Sequence, residues 1–201
     1  MQFPARLRPW LVPLLLSFGV TFVDLVAAAP NSAAPTCTFD GVEYQHRWSR
    51  QGQHEFTPAG QPDLVHWDDL ITINVHAQVR DEEALAQLAN AVLGNYKAAR
   101  ATVVRAFSTP RTPDKPAEHL AVVVFPQLTK TEFVVAHVKL VGGVGCVLVY
   151  SHREYGDDSG ERVRDWLEAN GATLEKKWLA WSGYPSPVAL AALPDTPPES
   201  R

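Results

Sequence analysis

Four short apolar segments follow one another between two helical patterns, and this succession constrains the fold more than any other feature of the sequence. The segments are rich in β-branched residues and cover residues 101–108, 119–125, 133–141 and 145–154. Their length and composition predict β-strands. Because no helical pattern separates them, hairpins have to connect them, and neighbouring strands then run antiparallel. Gly142-Gly143, between the last two segments, favours a tight hairpin turn.

The flanking segments complete the expected architecture. In residues 69–79, DLITINVHAQV, apolar and polar residues alternate, which predicts a strand with one buried and one polar face. Helical spacing follows, with Asp81 as the expected N-cap. A second helix begins near Asp158 or Ser159 and carries three tryptophans, and Asn170-Gly171 either kinks it or divides it in two. The fold class is therefore α+β, a mostly antiparallel sheet packed by a central and a C-terminal helix.

The N-terminus has the pattern of an export signal. Residues 1–28 combine two arginines, a 14-residue apolar run from Trp10 to Val23 and a series of small residues, in the order of a secretory signal peptide. The run is shorter than the roughly 20 residues that span a bilayer. We therefore expect an exported protein, periplasmic or secreted, with no stable membrane span after cleavage. A linker at 29–36, one domain at 37–181 and a proline-rich mobile tail at 182–201 would follow.

The net charge bears on the binding partners that the chain can have, and the two cysteines bear on whether it contains a disulfide. The net charge is −4, and no basic patch with interleaved aromatic residues is present, so nucleic acid is not expected as a partner. Cys37 and Cys146 would form a disulfide in an oxidising compartment. Alternatively, Cys146 is a small buried hydrophobe and Cys37 stays unpaired. The sequence leaves both possibilities open.

The stretch VLVYSHREYG, residues 147–156, contains the most reactive side chains. Because side chains alternate along a strand, His152 and Glu154 should point to one face, where they could act as an acid–base pair. Arg153 and Tyr155 should point to the other, where they could clamp an anion. A strand end that carries its charges into water explains the same residues. These four are catalytic candidates, and a hydrolase-type enzyme with His152 as general base is an alternative function.

Other kinds of chemistry find less support. His54, Glu55, His66, Asp68 and Asp69 match no metal-binding motif, so neither a metal nor a cofactor is expected. No G-x-S-x-G elbow is present, and Ser151 should face away from His152. The tryptophans favour core packing over a sugar platform or an apolar pocket; they are Trp48, Trp67, Trp166, Trp178 and Trp181.

The segment STPRTPDKPAEH, residues 108–119, should be an exposed loop. Its three prolines cannot continue a strand ladder, and its charges favour water. It is either a plain connector or a partner-binding loop. Arg111, Asp114 and Lys115 are the candidate contact residues in the second case.

The chain resembles a group of exported bacterial proteins and, more distantly, the PsbP-like α+β sandwich family. The resemblance covers most of residues 42–181 and lies in HEFTPAGQPDLVHWDDLITINV, in the central helix, in the hairpin ending VYSHREYG and in WLEANGATLEKKWLAW. It implies an accessory or binding protein that assembles with larger complexes, and it transfers no functional residue.

These observations favour a non-catalytic exported binding or accessory protein of the bacterial envelope, which engages a protein or a small ligand. Besides the enzyme, a carrier of an apolar ligand, with a pocket lined by Trp166 and Trp178, is the remaining alternative.

Overall fold

A computed structural model of the chain describes residues 35–197. The predicted signal peptide at 1–28 and residues 29–34 of the predicted linker at 29–36 lie outside the described residues. The described chain contains eight strands and three helices. The strands are β1 (Thr36–Phe39), β2 (Val42–Arg50), β3 (Gln53–Pro58), β4 (Asp69–His76), β5 (Thr102–Thr109), β6 (Glu118–Pro126), β7 (Lys130–Val141) and β8 (Val144–Tyr155), and the helices are α1 (Glu82–Ala98), α2 (Ser159–Ala180) and α3 (Pro187–Ala191).

The eight strands form a single antiparallel sheet in the order β1-β2-β3-β4-β8-β7-β6-β5. The predicted α+β class with a mostly antiparallel sheet is therefore confirmed. The β7–β8 turn is made by Gly142 and Gly143 at φ 57° and 76°, the left-handed region that a tight hairpin requires at both central positions. The pairing of β4 with β8 joins two strands that are far apart in the sequence and places them at the centre of the sheet.

The helices cover opposite faces. Leu85 of α1 is fully buried against valines of β6, β7 and β8. On the other face, Val163, Leu174 and Trp178 of α2 pack on β7, β8 and their neighbours. Asp81 caps α1 as predicted, since its side chain accepts a hydrogen bond from the amide of Ala84. α2 is one helix from Ser159 to Ala180, so Asn170-Gly171 does not divide it.

α1 covers only part of its face of the sheet. It packs on β6 and β7, at the side of the sheet that ends in β5. The same face of β3, β4 and β8 carries polar side chains instead. This uncovered area contains a cavity that is lined by many polar side chains.

The predicted mobile tail from residue 182 is corrected for its described part, residues 182–197. Ser186 caps α3, and Leu190 of that helix is fully buried in the core. Further on, Thr196 bonds the backbone of Ser49 through both its amide and its hydroxyl. The prolines of this segment misled the prediction: Pro187 occupies the first turn of α3, where no amide hydrogen is needed.

The predicted disulfide is not present: Cys37 and Cys146 are both free and buried. Cys37 lies on β1 at one edge of the sheet, and Cys146 lies on β8, four strands away. Strand spacings of about 4.8 Å put their backbones on the order of 20 Å apart, whereas a disulfide needs Cα atoms within about 7 Å. Cys146 behaves as the small buried hydrophobe of the alternative interpretation.

Among the described residues no helix combines the length and apolar character needed to cross a membrane.

Candidate functional site

A cavity of about 370 Å³ lies on the α1 face of the sheet, beside the helix and below the segment 59–68. Its floor is made by side chains of β3, β4 and β8, and its walls by α1, by β7 and by the 59–68 segment. The residues that line it are Gln53, Glu55, Leu64, Trp67, Leu70, Thr72, Asn74, Tyr96, Phe125, Gln127, Glu132, Val134, Val149, Ser151 and Arg153.

The register of the three central strands brings the polar residues of the floor together. Glu55 pairs with Thr72, and Thr72 pairs with Val149, so these three form one row across the sheet. Leu70 and Ser151 form the next row. Because alternate residues of a strand share a face, the polar side of the alternation predicted in β4 becomes the floor of the cavity.

The hydroxyls of Ser151 and Thr72 are the most informative groups on this floor. Ser151 is only 3% exposed and Thr72 only 9%, yet neither side chain has a hydrogen-bond partner within residues 35–197. Both side chains line the cavity. Each hydroxyl oxygen retains some accessible surface, so a partner in the cavity can reach it. A buried hydroxyl normally finds a partner. For Ser151 and Thr72, the space in which such a partner could lie is the cavity.

Arg153 is held in the cavity wall by three contacts. Its Nε donates to Glu132 Oε2 at 2.9 Å, and its guanidinium lies 3.7 Å above the centre of the Trp67 ring. Nη1 is 3.5 Å from the carbonyl oxygen of Val65. The positive charge is therefore already engaged by a carboxylate and an aromatic face.

Tyr155, predicted to form an anion clamp with Arg153, holds the 59–68 segment instead. Its hydroxyl accepts from the amide of Trp67 at 3.0 Å and donates to the carbonyl of the same residue at 2.7 Å. Its ring stacks on His66. Arg153 and Tyr155 do share a face as predicted, and together they position the segment that closes one side of the cavity.

Gln61 shapes the same segment from within. Its Oε1 accepts hydrogen bonds from the amides of Asp68 and Asp69, at 2.8 and 3.1 Å. Thr57 donates from its hydroxyl to the carbonyl of Gln61. These bonds replace strand pairing in a segment without regular structure, so the cavity wall has a defined conformation.

His152 and Glu154 lie on the opposite, α2 face, as strand alternation predicts. His152 Nδ1 is 3.0 Å from Asp69 Oδ1, and since a carboxylate only accepts, Nδ1 carries the hydrogen. The imidazole stacks on Trp166 with ring centres 4.0 Å apart. Nε2 is buried, 3.5 Å from Glu154 Oε1. The histidine is 7% exposed, so the nitrogen that a general base would use is not open to a substrate.

Asp69 also accepts the hydroxyl of Tyr150 at 2.6 Å. Both residues border a smaller cavity of about 180 Å³, which Trp166 lines and His152 does not. Burial, reinforced by the negative charge of Asp69, raises the pKa of Tyr150 far above its ordinary value. The group therefore remains a neutral hydrogen-bond donor that fixes Asp69 in place.

The proline-rich segment forms the tip of the β5–β6 hairpin. Thr112 and Lys115 pair across a tight turn that contains Asp114. Arg111 lies 3.6 Å from Glu82 of α1, and Lys115 lies 3.1 Å from Glu118. Two of the three predicted contact residues are thus engaged within the chain, and their role toward a partner stays a prediction.

Glu118, at the base of that hairpin, is the centre of a buried ionic cluster. His137 Nε2 lies 3.0 Å from its carboxylate, and Lys139 lies 3.5 Å away. Burial alone would raise the pKa of Glu118, but the hydrogen bonds from His137 and Lys115 and the charge of Lys139 lower it to about 2. The carboxylate stays ionised and anchors the hairpin.

The tryptophans have separate roles. Trp178 is fully buried and stacks on Trp181, so it does not line the predicted carrier pocket. An apolar cavity of about 390 Å³ does lie between α2 and the sheet, but its walls include Val104, Phe133 and Leu167. Among the tryptophans of residues 35–197, Trp67 alone lines the polar cavity.

The histidines and carboxylates between residues 54 and 69 are dispersed. His54 and Glu55 are adjacent on β3 and therefore face opposite sides of the sheet. Within residues 35–197 no group of three or more His, Cys, Asp or Glu side chains is placed to hold a metal ion.

No single sequence pattern identifies the cavity floor. The alternation in β4 predicts a polar strand face with Thr72 and Asn74, but the neighbours of these residues in space come from β3 and β8. Polar residues at alternate positions of three separate strands are the signal, and only the β3–β4–β8 register connects them.

Neither a scan against protein-family models nor a search of curated proteins finds a match to this chain.

Proposed function

We propose that this chain is a non-catalytic binding protein that holds one small polar ligand in the 370 Å³ cavity on the α1 face of its sheet. The observation that carries the proposal is the pair of buried hydroxyls, Ser151 and Thr72, that have cavity space and no protein partner. Burying a hydroxyl without a hydrogen-bond partner costs free energy of folding. A ligand in the cavity can supply that bond, as can an ordered water molecule.

The surroundings of these hydroxyls support the same function. The cavity has the size of a small-molecule site, at the lower end of the usual 300–1,000 Å³. Arg153 and Tyr155 fix the 59–68 segment at its side, so the wall is largely formed before binding. A preformed site loses little conformational entropy when the ligand arrives.

A hydrolase-type enzyme with His152 as general base is the second candidate, favoured by the hydrogen bond between His152 and Asp69. A carboxylate that orients an imidazole is the usual support for a catalytic histidine. Two features weigh against it: His152 Nε2 is buried, and the ring is covered by Trp166. Binding is the better supported function.

Thermal-shift measurements on the full chain test the proposal. The compounds are neutral sugars, amino acids, aliphatic amines, dicarboxylates and nucleosides. We expect at least one compound to raise the melting temperature of the wild type but not of Ser151→Phe, in which a ring fills the floor of the cavity. Ser182→Phe, at an exposed serine after α2, is the matched control and should respond like the wild type.

Gln127→Trp provides a second blocking variant if Ser151→Phe does not fold, because Gln127 is exposed and lines the rim of the cavity. The proposal fails if no compound stabilises the wild type, or if the blocked variants respond as strongly as the wild type does.

Export belongs to the same proposal: a signal peptide would deliver the binding protein to the bacterial envelope. The resemblance to the PsbP-like family, whose members act mostly as accessory proteins, is in keeping with a role in binding rather than catalysis. Detection of the chain in the cytosol alone would contradict export without bearing on the cavity.

A further inference from the structure

We infer that the ligand of the sheet-face cavity is a neutral, hydroxyl-rich molecule of the size of a mono- or disaccharide. This inference rests on the proposed function, because it names the class of ligand that the same cavity would take. Three features of the cavity support it. The charged groups are paired within the protein, the neutral polar groups are not, and the volume limits the size of the ligand.

The charged groups of the cavity are engaged by the protein itself. Arg153 is paired with Glu132 and covered by Trp67. Glu55 accepts a hydrogen bond from Gln53 Nε2 at 2.8 Å. A charged ligand would have to break one of these arrangements in a partly desolvated site, which is costly unless the new pairing is better. The cavity therefore favours a ligand without net charge.

The groups without a protein partner are neutral and can both donate and accept. Ser151 and Thr72 offer hydroxyls, Asn74 and Gln127 offer amides, and none of the four side chains makes a hydrogen bond within the described chain. Hydroxyls and amides each carry a donor and an acceptor. Sugar hydroxyls have the same dual character, so each can bond two such groups at once.

Apolar surface accompanies these polar groups. Val149 interrupts the polar floor and Val134 lies on the β7 wall, where Tyr96 also meets Phe125 edge to face. A polyol ring has the matching character, with C–H groups on its faces and hydroxyls around its edge. An amphipathic wall of this kind would exclude water from the hydrogen bonds and strengthen them.

The volume sets the size of the ligand. About 370 Å³ corresponds to roughly a dozen water molecules at about 30 Å³ each. A hexose has about as many non-hydrogen atoms as that, and closer packing in the bound state leaves space for part of a second ring. Larger oligosaccharides would have to extend past the rim.

Calorimetric titration of the full chain with matched sugars tests the inference. Glucose, galactose, maltose and trehalose are the neutral probes, and glucosamine and glucuronate are analogues that add one positive or one negative charge. We expect at least one neutral sugar to bind about tenfold or more tightly than either charged analogue.

Thr72→Val and Ser151→Ala remove one hydroxyl each and nearly preserve shape. Each should weaken the binding of that sugar about 3- to 10-fold, the loss of one hydrogen bond. Ser182→Ala, on the exposed surface, should leave it unchanged.

The outcomes separate the inference from the proposed function. Cavity-dependent binding of a charged analogue, an amine or a dicarboxylate, with no binding of neutral sugars, would overturn the ligand class and leave the binding function standing. Binding of a neutral sugar that Ser151→Phe does not affect would place the sugar elsewhere and also overturn the inference. Failure of every compound class to bind would overturn the proposed function itself.

Discussion

The hydroxyl of Tyr150 donates a hydrogen bond of 2.6 Å to Asp69 Oδ1, and the same oxygen is 3.0 Å from Nδ1 of His152. Asp69 begins β4, and the other two residues lie near the end of β8, so one carboxylate ties the two central strands together. The shared face is that of α2, opposite the proposed ligand cavity. We infer that Tyr150, Asp69 and His152 stabilise the fold by joining β4 to β8.

Tyr150→Phe should lower the free energy of unfolding by about 1–2 kcal/mol, because the partly buried carboxylate of Asp69 loses one of its donors. Urea denaturation measures the change. Tyr184→Phe is the matched control, since that hydroxyl has no hydrogen-bond partner among residues 35–197. It should change stability by less than about 0.5 kcal/mol. Equal effects of the two substitutions would show that the bond to Asp69 contributes nothing.

Gln61→Ala should loosen the cavity wall without unfolding the chain. The amides of Asp68 and Asp69 lose their acceptor, so their hydrogen exchange should speed up about tenfold or more, because the equilibrium constant for local opening rises. Exchange measured by NMR would report it. Gln87→Ala, at an exposed position of α1, should leave these amides unchanged. Unaltered exchange in Gln61→Ala would contradict the role of Gln61 in shaping the segment.

Glu118→Gln should reduce the acid sensitivity of the fold. Burial acts to raise the pKa of Glu118, but His137, Lys115 and Lys139 together lower it from 4.5 to about 2. A carboxyl whose folded pKa is depressed stabilises the fold above its unfolded pKa, and this stability is lost as the pH falls through the folded value. The contribution, on the order of 1–3 kcal/mol because solvent screens the half-exposed Lys115, should therefore decline between about pH 4.5 and 2.

Measurements of unfolding free energy from pH 7 down to pH 2.5 test this prediction. The wild type should be more stable than Glu118→Gln near neutrality, and the difference should shrink below pH 4.5. Burial and the neighbouring His46 lower the pKa of His54 to about 4. Protonation of His54 therefore destabilises both proteins as the pH falls, and its contribution cancels in the difference between them. A difference that is constant over the whole range would contradict the role of the Glu118 charge.

Both cysteines should remain reduced and unreactive in the folded chain. Burial raises the pKa of Cys37 to about 12; burial, opposed by Lys139, raises that of Cys146 to about 11. The reactive thiolate is therefore scarce at neutral pH. Maleimide labelling should fail in native buffer and modify both cysteines in denaturant. A mass lower by two hydrogens, restored by reductant, would reveal the disulfide that the structure excludes.

Much of the fold could be predicted because its signals are local. Asp81, Gly142 and Gly143 each act within a few residues of chain, as a helix cap or a hairpin turn, and the structure confirms all three. The division of His152 and Arg153 between opposite faces is likewise a property of a single strand.

The remaining features depend on contacts between distant segments. Cys37 and Cys146 are kept apart by the strand order, which composition does not encode. Leu190 and Thr196 lie in a proline-rich segment whose contact surface is made by other parts of the chain. The hydroxyls of Thr72 and Ser151 share one cavity only because β4 pairs with β8, about 80 residues further along the chain.

Amide chemical-shift mapping of the isotopically labelled chain would locate the bound ligand residue by residue. The titrant is the compound that stabilises the wild type most in the thermal-shift series. We expect perturbations centred on Thr72, Asn74 and Ser151 and extending into the 59–68 segment. Shifts that instead centre on Trp166 and the α2 face, or on Lys115 at the hairpin tip, would contradict this expectation.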